Sequence, residues 1–216
     1  MADKGHKPLV IIGAGGMGRE VAWLVDDINK LNSEWDFLGF IDDGKKGLTV
    51  EGYPILGQIN YLYKIRPRPW VTIAIADSHV RQRLLKELER DGMQLATLIH
   101  PSVLMSDYVS IKPGSIICAG TIITTNVSIG KACIVNPGGF IGHDTVIGDC
   151  VSMMPAANLA GEITVGMGCY FGMNSCVINQ TEIGEWSVIG AGATVIKKIP
   201  PRSLAVGVPA QVIRKL

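Results

Sequence analysis

The sequence predicts an α/β domain followed by a parallel β-helix of hexapeptide repeats. Three observations carry that reading. A six-residue period runs unbroken through the second half; strand and helix patterns alternate over the first hundred residues; and 26 glycines stand among 216 residues with only 6% aromatics. Many tight turns and thin packing suit such a composition better than a helical protein.

The period comes first, because a missed repeat misreads the whole fold. Every sixth position from Met105 is apolar: Met105, Ile111, Ile117, Ile123, Ile129, Val135, Ile141, Ile147, and on through Val177, Ile183 and Ile189 to Val195. At 47% apolar composition, chance gives sixteen such positions roughly once in 10⁵ trials. A second, mostly small class stands four residues after each, as at Ser115, Thr121, Cys133, Gly139, Thr145, Ala157 and Ser175. Glycine often follows the apolar residue directly, as at Gly130, Gly142, Gly148 and Gly166. Six fits neither the 3.6 of a helix nor an unbroken alternation of two. It fits short strands joined by turns, each hexad one flat side of a prism and three hexads one coil. Stacked coils then pair by parallel hydrogen bonds at ~4.8 Å.

Residues 1–100 read as a separate unit, with residues 101–216 forming the coils. Residues 8–12 (PLVII) form a buried strand, and Val21, Ala22, Trp23, Leu24, Val25 and Ile28 suggest the helix after it. Residues 37–42, 71–76 and 95–99 supply further strands, and Asp77-Ser78 opens a charged helix. Alternating strand and helix implies a parallel sheet with helices on its faces. Gly13-x-Gly15-x-x-Gly18, with Asp42 beyond it, satisfies a dinucleotide fingerprint and makes the unit Rossmann-like. Three readings stay open there: a glycine turn packing helix on strand, a bound NAD, or a nucleotide diphosphate sugar. About 100 residues cannot supply both halves of a full dinucleotide fold, whereas a nucleotide sugar needs only one.

Composition narrows the partners. Apolar residues at 47% and charged residues at 18% exclude a disordered chain. Twenty basic against 19 acidic residues leave no excess to hold a nucleic-acid backbone. No apolar run approaches the ~20 residues of a membrane span, and the polar start MADKGHKPLV lacks a secretory pattern. The five cysteines form no C-x-x-C pair and suit buried thiols in a reducing cytoplasm. A cytoplasmic protein without membrane or nucleic-acid partners is expected.

Of four histidines, His6 lies in the polar leader, His79 at a helix start and His100 beside Pro101. Only His143 falls inside the repeat, at a corner and beside Asp144. An outward imidazole next to a carboxylate can be a general base or simply a surface histidine at a turn. A zinc centre of the three-imidazole kind needs more histidines than the coils hold, so no metal is expected.

GAGGMGRE, FIDD, NPGGFIGHDTVIGD, the hexad array and the closing VGVPAQVIRKL together resemble the bacterial nucleotide-sugar acetyltransferases of the hexapeptide-repeat family. That group includes the sialic acid O-acetyltransferases and the N-acetyltransferases of UDP- or GDP-linked 4-amino sugars. The resemblance implies a left-handed coil, a homotrimer with active sites between neighbours, and acetyl-CoA as acyl donor. It places His143 as the base, Asp144 as the acid that raises its basicity, and the Gly161 N–H against the thioester oxygen. It sets Asn136 near the sugar, and Met173 and Ala191 along the acetyl-CoA channel. Ser152 stands where relatives carry a second histidine near the acetyl group. Gly15, Gly16 and Met17 correspond to the nucleotide loop, Met17 replacing a histidine of some relatives, and Asp42 with Asp43 to the pair reading base and ribose. Direct attack of a sugar amine on acetyl-CoA follows, in surface-polysaccharide or other glycan biosynthesis. Sugar O-acetylation and a non-catalytic nucleotide-binding module are the alternatives.

Overall fold

The computed structural model describes residues 6–45 and 47–216. The chain divides into two compact units, Met1–Pro101 and Ser102–Leu216.

The first unit runs β1 (Lys7–Ile12), α1 (Gly16–Asn32), β2 (Trp35–Ile41), β3 (Thr49–Val50), β4 (Tyr53–Gly57), α2 (Ile59–Leu62), β5 (Trp70–Ile73), α3 (Ser78–Arg90) and β6 (Gln94–Leu95). The sheet order is β3-β4-β2-β1-β5-β6, parallel except for β3. β1 is central because Leu9, Val10, Ile11 and Ile12 are apolar on both faces, and all four are buried. From β1 the chain goes to β2 on one side and later to β5 on the other. That reversal opens a crevice at the carboxyl ends of the strands.

Helix α1 buries Val21, Ala22, Leu24, Val25 and Ile28, while Trp23 is exposed. At 100° per residue, position 23 lies opposite the buried arc, so the apolar run there is not all core. Helix α3 begins where the Asp77 carboxylate accepts from the backbone N–H of His79 (2.9 Å) and Val80 (3.0 Å). Such a cap contributes about 1 kcal/mol.

Two features differ from the sequence reading. Residues 95–99 are not one strand, because β6 ends at Leu95 and a separate strand occupies Leu98–Ile99. The β3–β4 hairpin was absent from that reading. Glu51 and Gly52 both take positive φ in its two-residue turn, the geometry that matches strand twist.

The second unit is a parallel β-helix. Two-residue strands repeat every six residues and pair with the strand 18 residues on, as in the run Ile123, Ile141, Leu159, Val177, Val195. Inward residues from Ile117 to Val195 are buried, each contributing of order 2 kcal/mol by removal from water. Met105, which starts the stack, is 46% exposed, since its strand pairs on one side only. The small residues at Ser115, Thr121, Thr145 and Ser187 are wholly buried inside the corners. At each corner from Gly114 to Gly192 the third residue after the inward aliphatic adopts left-handed φ, as at Asn126, Asp144, Glu162 and Gln180. Asn and Asp tolerate that conformation best after glycine. Ser203–Val206 continues one face in parallel, and Gln211–Lys215 folds back on it antiparallel.

Candidate active site

Each coil turns three corners, so three edges run along the stack. His143 stands on the edge following the strand Phe140–Ile141, one coil after Thr125 and one before Gly161. The left-handed turn at Asp144 leaves both side chains outward, about half exposed (53% and 48%). The His143 Nδ1 lies 2.7 Å from Asp144 Oδ2. The second carboxylate oxygen, Oδ1, accepts a 2.6 Å hydrogen bond from the Asn126 amide. Asn126, then His143, hold the Asp144 carboxyl below the usual carboxylate range.

Gly161 lies a full coil beyond His143, and its position on this edge has a steric cause. A Cβ there would sit 2.5 Å from His143 Nε2 and 2.6 Å from Cε1. Only glycine leaves room for the ring. The backbone registers the two residues, since Glu162 N–H donates to His143 O at 2.7 Å and Gln180 N–H to Gly161 O at 3.0 Å. Among the described residues, nothing accepts from the Gly161 N–H.

Met173 and Ala191 share a different edge, the corner after Tyr170–Phe171 and Val188–Ile189, and both are exposed. A Cβ on Gly172 would meet Ala191 N at 2.4 Å, so successive turns of this edge stack closely as well. One chain therefore brings His143, Asp144 and Gly161 together and keeps Met173 and Ala191 apart from them.

Ser152 lies in the coil-face strand Ser152–Met153, and Asn136 directly follows the strand Ile134–Val135, at the start of the Met173 edge and two coils before Gly172. Ser152 is wholly buried, with its N–H donating to Cys169 O at 2.9 Å. Asn136 is 4% exposed and gives its side-chain amide to Met153 O at 2.9 Å. Their polar groups serve the coil in this chain. Of the cysteines, Cys118, Cys133, Cys150 and Cys169 are buried and Cys176 is half-buried, and burial pushes the Cys169 thiol up to about 12.

The first unit holds a crevice of about 210 Å³ at the reversal beside β1, lined by Gly13, Asp42, Asp43, Ile75 and Arg83 among others. Its glycines divide by what surrounds them. A Cβ on Gly18 would lie 2.0 Å from Gly13 O, and one on Gly13, at φ +99°, would meet Ala74 O at 2.9 Å. Those two pack helix against strand. Around Gly15 and Gly16 nothing lies within 4 Å of a Cβ, so the backbone before α1 stands open. Gly15 caps the helix without a side-chain bond, which leaves first-turn N–H groups facing outward with Met17 in that turn. Asp42 accepts from Ala14 N–H (2.8 Å) and Gly44 N–H (2.9 Å), tying the loop to the end of β2, and Asp43 accepts from Ile59 N–H at 3.0 Å. Lys45, which the sequence reading passed over, reaches Ala14 O at 2.6 Å. Its ammonium stands beside the open glycines.

Among the described residues no group of three His, Cys, Asp or Glu could hold a metal ion, and no helix is long and apolar enough to cross a membrane. A crevice at the strand reversal of an α/β unit and a histidine–carboxylate pair on a hexapeptide β-helix define a two-part acyltransferase architecture. Residues 8–88 match the family described as the PglD N-terminal domain. GDP-perosamine N-acetyltransferase of Escherichia coli O157:H7 is 31% identical over 84% of this chain and 82% of its own. The structure matches a histidine-to-asparagine variant of Caulobacter crescentus perosamine N-acetyltransferase in complex with CoA and GDP-perosamine. That match has a TM-score of 0.90 at 30% identity and covers 98% of both chains. WeeI from Acinetobacter baumannii AYE matches with a TM-score of 0.88 at 34% identity, over 96% of this chain and all of that one. The chain belongs to the nucleotide-sugar acetyltransferases of the hexapeptide-repeat family, which are acetyl-CoA-dependent enzymes with a left-handed parallel β-helix.

Proposed function

We propose that the protein transfers the acetyl group of acetyl-CoA to the amine of a nucleotide-linked 4-amino sugar, with His143 as general base. The observation that carries this is the 2.7 Å contact of His143 Nδ1 with Asp144 on an open edge above Gly161. A carboxylate on Nδ1 keeps the proton there and leaves the Nε2 lone pair free. The sugar amine attacks the thioester carbonyl while Nε2 takes its proton. The tetrahedral oxyanion collapses, the C–S bond breaks, and the imidazolium proton passes to the departing CoA thiolate. The unbonded N–H of Gly161 would donate to the oxyanion, a contribution of about 3 kcal/mol per donor elsewhere. A direct transfer needs no acyl-enzyme, and the burial of Cys118, Cys133, Cys150 and Cys169 suits that route.

The open backbone at Gly15 and Gly16 suits the diphosphate, and Asp42 and Asp43 suit ribose and base at the crevice. The names of the relatives favour N-acetylation and a GDP-linked sugar. Acetyl-CoA would run along the Met173 and Ala191 edge. Because that edge is not the one bearing His143, a second copy must supply it, and a closed trimer does so with each neighbour. A stable monomer in sedimentation equilibrium that still turns over would contradict the shared site. Five cysteines present as thiols suit the cytoplasm, and an N-acetylated nucleotide sugar is the kind of donor that glycan assembly consumes.

The test is a panel of GDP-, UDP- and dTDP-linked amino sugars with acetyl-CoA, following thiol release. Turnover of one amino sugar, and none of its hydroxyl counterpart, is the expected result. Transfer only to hydroxyl sugars would replace N- by O-acetylation, and no turnover without acetyl-CoA binding would leave a nucleotide-binding module.

A further inference from the structure

Asn126 lies 18 residues before Asp144, one coil below it on the same edge. We infer that Asn126 is a positioning residue for the transfer: it holds Asp144 so that the carboxylate fixes the proton on His143 Nδ1. The inference rests on His143 acting as the base.

The geometry is a relay of two short contacts on one carboxylate. The Asn126 side-chain amide donates to Asp144 Oδ1 at 2.6 Å, and Asp144 Oδ2 faces His143 Nδ1 at 2.7 Å. Asp144 is half exposed, and a free aspartate there would rotate among its χ1 wells and leave the ring. Anchoring one oxygen from below removes that freedom. A charge-assisted bond of this length is of the stronger kind. Asn126 is also the first of the causes that keep the Asp144 carboxyl low, ahead of the imidazole itself.

The same edge carries an internal comparison two coils on. Gln180 donates to Glu162 at 3.2 Å, again between left-handed turn residues 18 apart. Neither member of that pair follows a histidine in the chain, since Gly161 and Asn179 stand in the preceding positions. An amide–acid pair is thus a device for stacking turns, and at Asn126 the coil has coupled it to a ring. Stacking alone would contribute to stability only; positioning must also appear in the state of the imidazole.

The experiment uses the full-length enzyme and two variants that keep the left-handed turn. Asn126→Gly removes the amide, and Asn126→Asp replaces the donor by an acceptor of the same shape. Turnover should fall about tenfold in both, with KM for acetyl-CoA and sugar nucleotide unchanged. Nitrogen-15 NMR of the imidazole should show the neutral ring protonated on Nδ1 in the parent and mixed in both variants. Gln180→Gly, as a control for stacking, should change melting temperature without changing turnover or tautomer. The inference is overturned if both Asn126 variants keep turnover within twofold and the Nδ1 tautomer. His143→Ala, assayed in parallel, separates the outcomes: if it too remains active, the base assignment itself has failed.

Discussion

The loop before α1 and the His143 edge both depend on glycine, for opposite reasons. At Gly15 and Gly16 the space left by the missing side chain is open, with nothing within 4 Å. At Gly161 the space is already taken, by the imidazole of His143. The first pair leaves backbone N–H groups accessible to something from outside, and the second lets one side chain lie flat against the coil. Neither resembles Gly18, Gly142 or Gly166, where a Cβ would strike backbone and the role is packing. A glycine-rich sequence thus carries three kinds of information, and only the surroundings separate them.

Filling each space in turn breaks the comparison or sharpens it. Gly161→Ala should cost the most in turnover, about 10²-fold, because the ring must shift by an ångström or more. In a His143→Ala background the same change should cost little, so a double-mutant cycle reports the coupling directly. Equal losses in both backgrounds would mean that Gly161 acts without His143. Gly18→Ala should cost stability instead, about 1–3 kcal/mol by chemical denaturation, as overpacking against Gly13 requires. Gly16→Ala should leave stability unchanged or slightly raised, while KM for the nucleotide sugar rises about tenfold. An unchanged KM there would favour a purely structural glycine turn.

The smallest effect concerns pH. Asp144 titrates below its ordinary 3.8 because Asn126, then His143, favour the anion. A depressed carboxyl contributes stability above its unfolded value and loses it as pH falls through the folded one. The melting-temperature gap between parent and Asn126→Gly should therefore be constant from pH 5 to 7 and shrink below about pH 3.8. A gap that widens on acidification would reverse the sign.

The coils were legible in the sequence because each turn of the prism imposes the same inward position. From Ile117 to Val195 every expected residue is buried, and only the first hexads depart, where the stack begins. The α/β unit was legible as strands and helices, but the run 95–99 breaks in two and Trp23 faces outward. Local pattern could not show either, because tertiary pairing decides both. His143 and Asp144 stood out as the only histidine–acid pair in the repeat. Asn126 did not, although stepping back one coil from Asp144 reaches it. Ser152 and Asn136 were singled out by resemblance alone; their burial is a property of three-dimensional packing that no motif carries.

The role of His143 admits one direct measurement, the turnover of His143→Ala set against its affinity for both substrates. The account predicts a loss of about 10²–10⁴-fold in kcat with acetyl-CoA and nucleotide-sugar dissociation constants within twofold of the parent. Parent-like turnover, or a loss explained wholly by weakened binding, would contradict it.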